Sequence, residues 1–202
     1  MAFTVVVDKS QGDIFTEAMW DTMIRDNLNK GVIRPIAEVS LASPAATIDF
    51  TSIAADWAHL LIAWLARSDV AANSANLVLR FNNDAGANYD SQNISGTGTT
   101  AAAGESLATT SGIVGQIPGA SALANQFGGG LVIIPHYTNA VARKVGLGMA
   151  QLGWNVTTGS LRFMLSGTMW RSAPAISRIT FFPSASNFVA DSRVTLYGMG
   201  GI

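Results

Sequence analysis

The sequence contains no cysteine and only two histidines, His59 and His136. The first absence excludes a disulfide framework, a thiolate metal site and a cysteine nucleophile. The second leaves too few imidazoles for a zinc site built on several histidines. Charge is scarce as well: 12% of the 202 residues are charged, about half the usual share for a soluble domain. Long apolar runs are missing. The longest, residues 60–66 and 131–135, fall far short of the roughly 20 residues of a membrane helix. The first residues, Met-Ala-Phe-Thr-Val-Val-Val-Asp, lack the basic start and long apolar stretch of a secretory signal.

Three common catalytic motifs are also absent. There is no Gly-x-Ser-x-Gly elbow, no Gly-x-x-x-x-Gly-Lys-Ser/Thr loop and no His-Glu-x-x-His pair. Asp49, Asp56, Asp69, Asp84, Asp90 and Glu105 are the carboxylates open to acid–base work. Nothing in the sequence sets two of them together, and most lie in turns, where Asp bonds its own backbone. No catalytic residue, metal or cofactor is therefore assigned. His59, inside an apolar strand, reads as a buried structural histidine, and His136 as a strand-end surface residue. Apart from Arg143-Lys144 the basic residues stand singly, which gives no patch for nucleic acid.

What is present is apolar surface: 49% of residues are hydrophobic. A monomer needs a charged exterior to remain dispersed. With membrane insertion set aside, the composition points to a subunit of an assembly. The charges are also polarised. Residues 1–106 carry twelve acids and six bases, and residues 107–202 one acid and six bases. That split suits neighbouring copies packing head to tail, or one face meeting an acidic partner; chance among so few charges is the simpler reading.

The chain divides into residues 1–35, an arm and helix, and residues 36–202, a β domain. Thr16 caps a predicted helix over 17–30, which Gly31 stops. Phe15 and Trp20 fit the two positions of a hydrophobic staple. Trp20, Met23, Ile24 and Leu28 share one helical face. Either that stripe closes one end of the following domain or, with Phe15, it docks on another subunit. From residue 36 the apolar period becomes two: Ala37, Val39 and Leu41; Ile48 and Phe50; Leu77, Leu79 and Phe81; Val145, Leu147 and Met149 between glycines; Ile179 and Phe181; Val194 and Leu196. Leu161, Phe163, Leu165 and Met169 point one way, and Arg162, Ser166 and Thr168 the other. Residues 57–67 read as a central strand buried on both faces, with a helix as the alternative for so short an apolar run. About eight short strands divided by turn residues predict a mainly β fold, a β-sandwich or jelly roll. Residues 95–130, rich in Gly, Ala, Ser and Thr with Glu105 alone charged, read as an insertion without a core of its own.

Two clusters carry alternative chemistry. Residues 82–90 hold Asn82, Asn83, Asp84, Asn88 and Asp90 around Gly86, oxygen ligands of the kind calcium accepts. Their spacing is not that of a calcium loop, so a turn is the simpler reading. Tyr89, Trp154 and Trp170, near turns or on outward positions, are the candidates for a ligand platform such as one for a host-surface glycan. Trp57 and Trp64 read as core or docking residues.

The segment Gly12-Asp13-Ile14-Phe15-Thr16-Glu17-Ala18-Met19-Trp20-Asp21-Thr22-Met23-Ile24-Arg25-Asp26-Asn27-Leu28 resembles the opening of many bacteriophage virion proteins. Similar likenesses run through Leu79-Arg80-Phe81-Asn82-Asn83-Asp84-Ala85-Gly86-Ala87-Asn88-Tyr89, Ile176-Ser177-Arg178-Ile179-Thr180-Phe181 and Phe188-Val189-Ala190-Asp191-Ser192-Arg193-Val194-Thr195-Leu196-Tyr197-Gly198. The resemblance implies a structural component of a tail, fibre, spike or capsid decoration. It implies virion proteins as partners and a homo-oligomer, a trimer by analogy with spikes. It transfers no catalytic residues.

Overall fold

The structure, a computed structural model, describes residues 33–153 and 161–201. The predicted helix and its residues Phe15, Trp20, Met23, Ile24 and Leu28 lie outside the described residues, as does Trp154. The described chain is all strand and turn. The strands are β1 (Ile33–Ser40), β2 (Ile48–Phe50), β3 (Trp57–Ala66), β4 (Ser74–Phe81), β5 (Tyr89–Thr97) and β6 (Thr100–Thr109). They continue as β7 (Gly112–Pro118), β8 (Gly128–Pro135), β9 (Lys144–Gly153), β10 (Leu161–Trp170), β11 (Ile179–Pro183) and β12 (Arg193–Gly201). They form two antiparallel sheets. One has eight strands in the order β1-β12-β3-β8-β9-β10-β5-β6, and the other four in the order β2-β11-β4-β7.

The core lies between the sheets and is built from period-two runs. Leu60, Ile62 and Trp64 of β3 and Val132 and Ile134 of β8 face Leu77, Leu79 and Phe81 of β4 and Ile179 and Phe181 of β11; all are buried. The expectation that residues 57–67 are buried on both faces is not met. Leu60, Ile62, Trp64 and Ala66 are buried, whereas Leu61 and Ala63 are partly open and Leu65 is exposed. The Trp64 ring needs space that glycine supplies. A Cβ at Gly130 would collide with the indole, and one at Gly115 would come within 2.9 Å of it.

Residues 95–130 correct the expectation of an insertion that interrupts the β pattern. They complete β5, supply β6 and β7, and open β8. Alternation of large and small side chains is weak there because β7 packs by its backbone. A Cβ at Gly148 of β9 would strike the Val114 carbonyl oxygen, and one at Gly112 of β7 would strike the Thr168 hydroxyl. The backbone N–H of Ile113 donates to Ser91 Oγ at 2.9 Å, and Ser91 Oγ lies 3.2 Å from Thr168 Oγ1. β7 is an edge strand of its sheet, so the buried Ser91 hydroxyl occupies an edge N–H that water would otherwise serve. The following turn is fixed by Arg67. Its guanidinium donates to the carbonyls of Leu123 at 2.7 Å, Ala122 at 3.1 Å, Gln126 at 3.3 Å and Ala120 at 3.4 Å. A polar loop with little core of its own is thus held by one planar five-donor group.

Two glycines test this packing. Gly148 faces the β7 backbone, which cannot step aside, so Gly148→Ala overpacks the sheet contact at a cost of at least about 1–3 kcal/mol. Gly167 has nothing within 4 Å of its Cβ position, so Gly167→Ala is neutral or stabilises by about 0.5–1 kcal/mol. Chemical denaturation of the two variants beside the parent checks both.

Candidate interaction surface

Because β7 sits on the inner face of β9, β10 and β5, only small or polar residues fit beneath it. Gly146, Gly148 and Ala150 of β9 face inward, and so do Ser166 and Thr168 of β10 and Ser91 and Ser95 of β5. Strict alternation along a strand then sends the large apolar residues outward. The usual sense of a half-buried strand is inverted.

The pairing register joins these residues into transverse rows. One row runs Ala63, Leu131, Met149, Leu165, Ile94 and Ala103 across six strands. The next runs Leu61, Ile133, Leu147 and Gly167. A third links Leu65, Gly129, Gln151 and Phe163. Leu147 is 63% exposed, Leu161 59%, Ile94 54% and Phe163 49%. Ile94, Leu131, Ile133, Leu147, Met149 and Leu165 line a shallow groove of about 650 Å³. Continued to the sheet margins, these rows meet charge only at their ends: Arg193 and Glu38, an ion pair at 3.6 Å, on one side and Glu105 on the other.

His59 sits at one end of this face. It is not the buried histidine expected from its apolar strand, since its side chain points outward and stays partly open. Its Nδ1 accepts the His136 backbone N–H at 3.1 Å, and the two rings meet edge-on at 4.6 Å. Burial and the neighbouring His136 hold its pKa below the ordinary value. His136 is exposed, as expected.

The aromatic platform does not form as expected. Tyr89 is 0% and Trp170 3% exposed; neither presents a face to a ligand. They stack at 6.4 Å between ring centroids, with Phe81 completing the cluster. Burial pushes the Tyr89 hydroxyl up to about 12, and that hydroxyl accepts the Phe81 backbone N–H at 2.9 Å. Residues 82–90 are a turn tied to this cluster. Asp84 accepts Trp170 Nε1–H at 2.7 Å, the Gly86 N–H at 2.8 Å and the Asn88 amide at 2.9 Å. Those oxygens are therefore committed to the fold. No group of three or more metal-ligating side chains occurs among the described residues.

Other carboxylates hold structure together. Asp49 accepts from Arg178 and Thr180, joining β2 to β11 and the segment before it. Asp90 takes a two-pronged bond from Arg171, at 2.6 and 2.7 Å. Alternation alone does not reveal the outward face, because it does not say which side of a strand is covered. The run Val145-Gly146-Leu147-Gly148-Met149 held the signal: glycine at every second position marks the side where another backbone comes close.

Compared with known proteins, the chain matches no family, no curated relative and no solved structure.

The Asp84–Trp170 bond carries a pH prediction. The Trp170 indole N–H is the main cause holding the Asp84 carboxyl below the ordinary value; burial opposes it, and Gly86, Asn88 and Arg80 add to it. A depressed folded-state pKa gives stability that is present above the unfolded value of about 3.9 and is lost as pH falls through the folded value. Trp170→Phe removes the bond, destabilises the protein by about 1–2 kcal/mol and raises the pH of acid unfolding. Acid titrations of both proteins followed by near-ultraviolet circular dichroism measure the shift.

Proposed function

We propose that this chain is a non-enzymatic structural subunit of a bacteriophage particle. The observation that carries the structural reading is the uncharged apolar face on the outside of the eight-stranded sheet. A protein that worked alone in water would expose such a face at a large cost in solubility. In an assembly it is covered. The commitment of Asp49, Asp84 and Asp90 to bonds that hold the fold also favours a structural role over chemistry. The phage assignment draws on the four resembling segments.

The strand order supports a jelly-roll reading of the sandwich. Within the larger sheet, β1-β12-β3-β8 stand side by side, opposite β2-β11-β4-β7. Chain neighbours such as β1 and β2, β3 and β4, β7 and β8, and β11 and β12 thus alternate between sheets, as in two interleaved Greek keys. In this reading β5–β6 and β9–β10 are hairpins added to the frame, and their pairing widens one sheet to eight strands. The segment 16–30, outside the described residues, is the proposed docking element toward other virion proteins.

Quantitative mass spectrometry of purified phage particles tests this. The chain is expected at a copy number matching the other structural proteins, and Trp20→Asp with Ile24→Asp is expected to abolish its incorporation. Its absence from particles, when it is abundant in the same lysate, overturns the assignment.

A further inference from the structure

We infer that the outward face of β8, β9, β10 and β5 is covered by further copies of this same chain. The inference rests on the structural-subunit reading and names the partner of its surface.

Three observations select a second copy. The first is area. Eight large side chains on the face and its margins, among them Leu65, Leu147, Phe163 and Leu165, are each 42–63% exposed. Taking about 200 Å² for each whole residue, the middle of the aromatic range and an upper figure for the aliphatic ones, they offer up to roughly 800 Å². That is the share each partner brings to a standard stable interface of about 1,600 Å². It exceeds the roughly 300–600 Å² of the largest patch on a typical monomer.

The second is charge. The middle of the face carries no ionisable side chain, so laying it against other copies opposes no like charges. Charge stands only at the row ends: Arg193, ion-paired with Glu38 at 3.6 Å, beyond β3, and Glu105 beyond β5. In a closed ring, or about a twofold axis parallel to the strands, the Arg193–Glu38 margin of one copy meets the Glu105 margin of the next. Glu105 then faces a margin whose one acid is already paired with Arg193, so no unpaired like charges are set against each other.

The third is shape. The groove is open along the sheet rather than enclosed, so a small apolar ligand would keep much of its surface in water. Enclosed pockets bury 70–90% or more of a ligand. A broad row of side chains across six strands instead suits another sheet, whose side chains interdigitate with it about 10 Å away.

The test is the solution mass of the full chain by light scattering across a wide concentration range. The expected result is a multiple of 21.1 kDa that falls to one chain mass in Leu147→Glu with Leu165→Glu. Both positions are open to solvent in the single chain, so the variant should keep its strand-type circular dichroism. Should it misfold, Met149→Cys gives a second reading, since the chain has no cysteine of its own. A spin label at that position is expected to show coupling between copies. A monomeric parent at every concentration overturns the inference, whether the label is open to solvent or shielded by the chain's own residues 1–32. A multimer unaltered by the double variant, with a freely mobile label, also overturns it. The particle measurement separates the two readings. Presence in particles with a monomer in solution removes only self-association; a multimer absent from particles removes only the phage assignment.

Discussion

The contact on which this structure turns is β7 lying with its backbone against the inner face of β9, β10 and β5. A backbone has less depth than a layer of leucines, so the facing strands carry glycine, alanine, serine and threonine. Gly148 lies under the Val114 carbonyl and Gly112 against Thr168. Ser91 satisfies the N–H of Ile113. The buried hydroxyls of Ser91 and Thr168 are tolerable there because each has a backbone group to serve, the Ile113 N–H and the Asp90 carbonyl. Once the inner positions are small, the pleat leaves the large positions to the outside. The apolar face is therefore a consequence of how the two sheets meet.

This also explains what the sequence could and could not tell. Leu77, Leu79 and Phe81, or Ile179 and Phe181, obey the ordinary rule, and their strands and core positions are read directly. Leu161, Phe163 and Leu165 obey the same period with the opposite sense. Alternation tells which residues share a face; it does not tell which face is wet. The glycines between Val145 and Met149 held that information, but only knowledge of the approaching strand makes it decisive. Residues 95–130 were opaque for the same reason, because strands that pack by backbone need no large residues. Tyr89 and Trp170 were misplaced because a strand end beside a turn reads as surface. The partner that encloses them, Asp84 with its turn, is close in space through pairing that no local pattern records.

Polar residues divide the labour. Arg67 gathers the carbonyls of a loop that has few apolar anchors. Arg178 and Thr180 hold Asp49 at the strand joint between β2 and β11. Exposed ion pairs of this kind add little stability each, so their contribution is to fix register and loop path. With so few charges in the chain, those spent on internal joints are withheld from the exterior. The low charged fraction and the bare sheet face are thus two aspects of one design.

That link bears on the choice between a lone protein and a subunit. Covering this apolar face removes it from water, against which association sets the loss of translational and rotational freedom and the ordering of side chains. A rigid sheet lowers that second cost. Residues such as Leu147 and Met149 already stand in register on a hydrogen-bonded scaffold, so covering them orders side chains but little backbone. A face of this size and flatness is therefore well suited to being covered. That suitability weakens quickly for any variant that places a charge in the middle rows, where no opposite charge stands within the face to meet it.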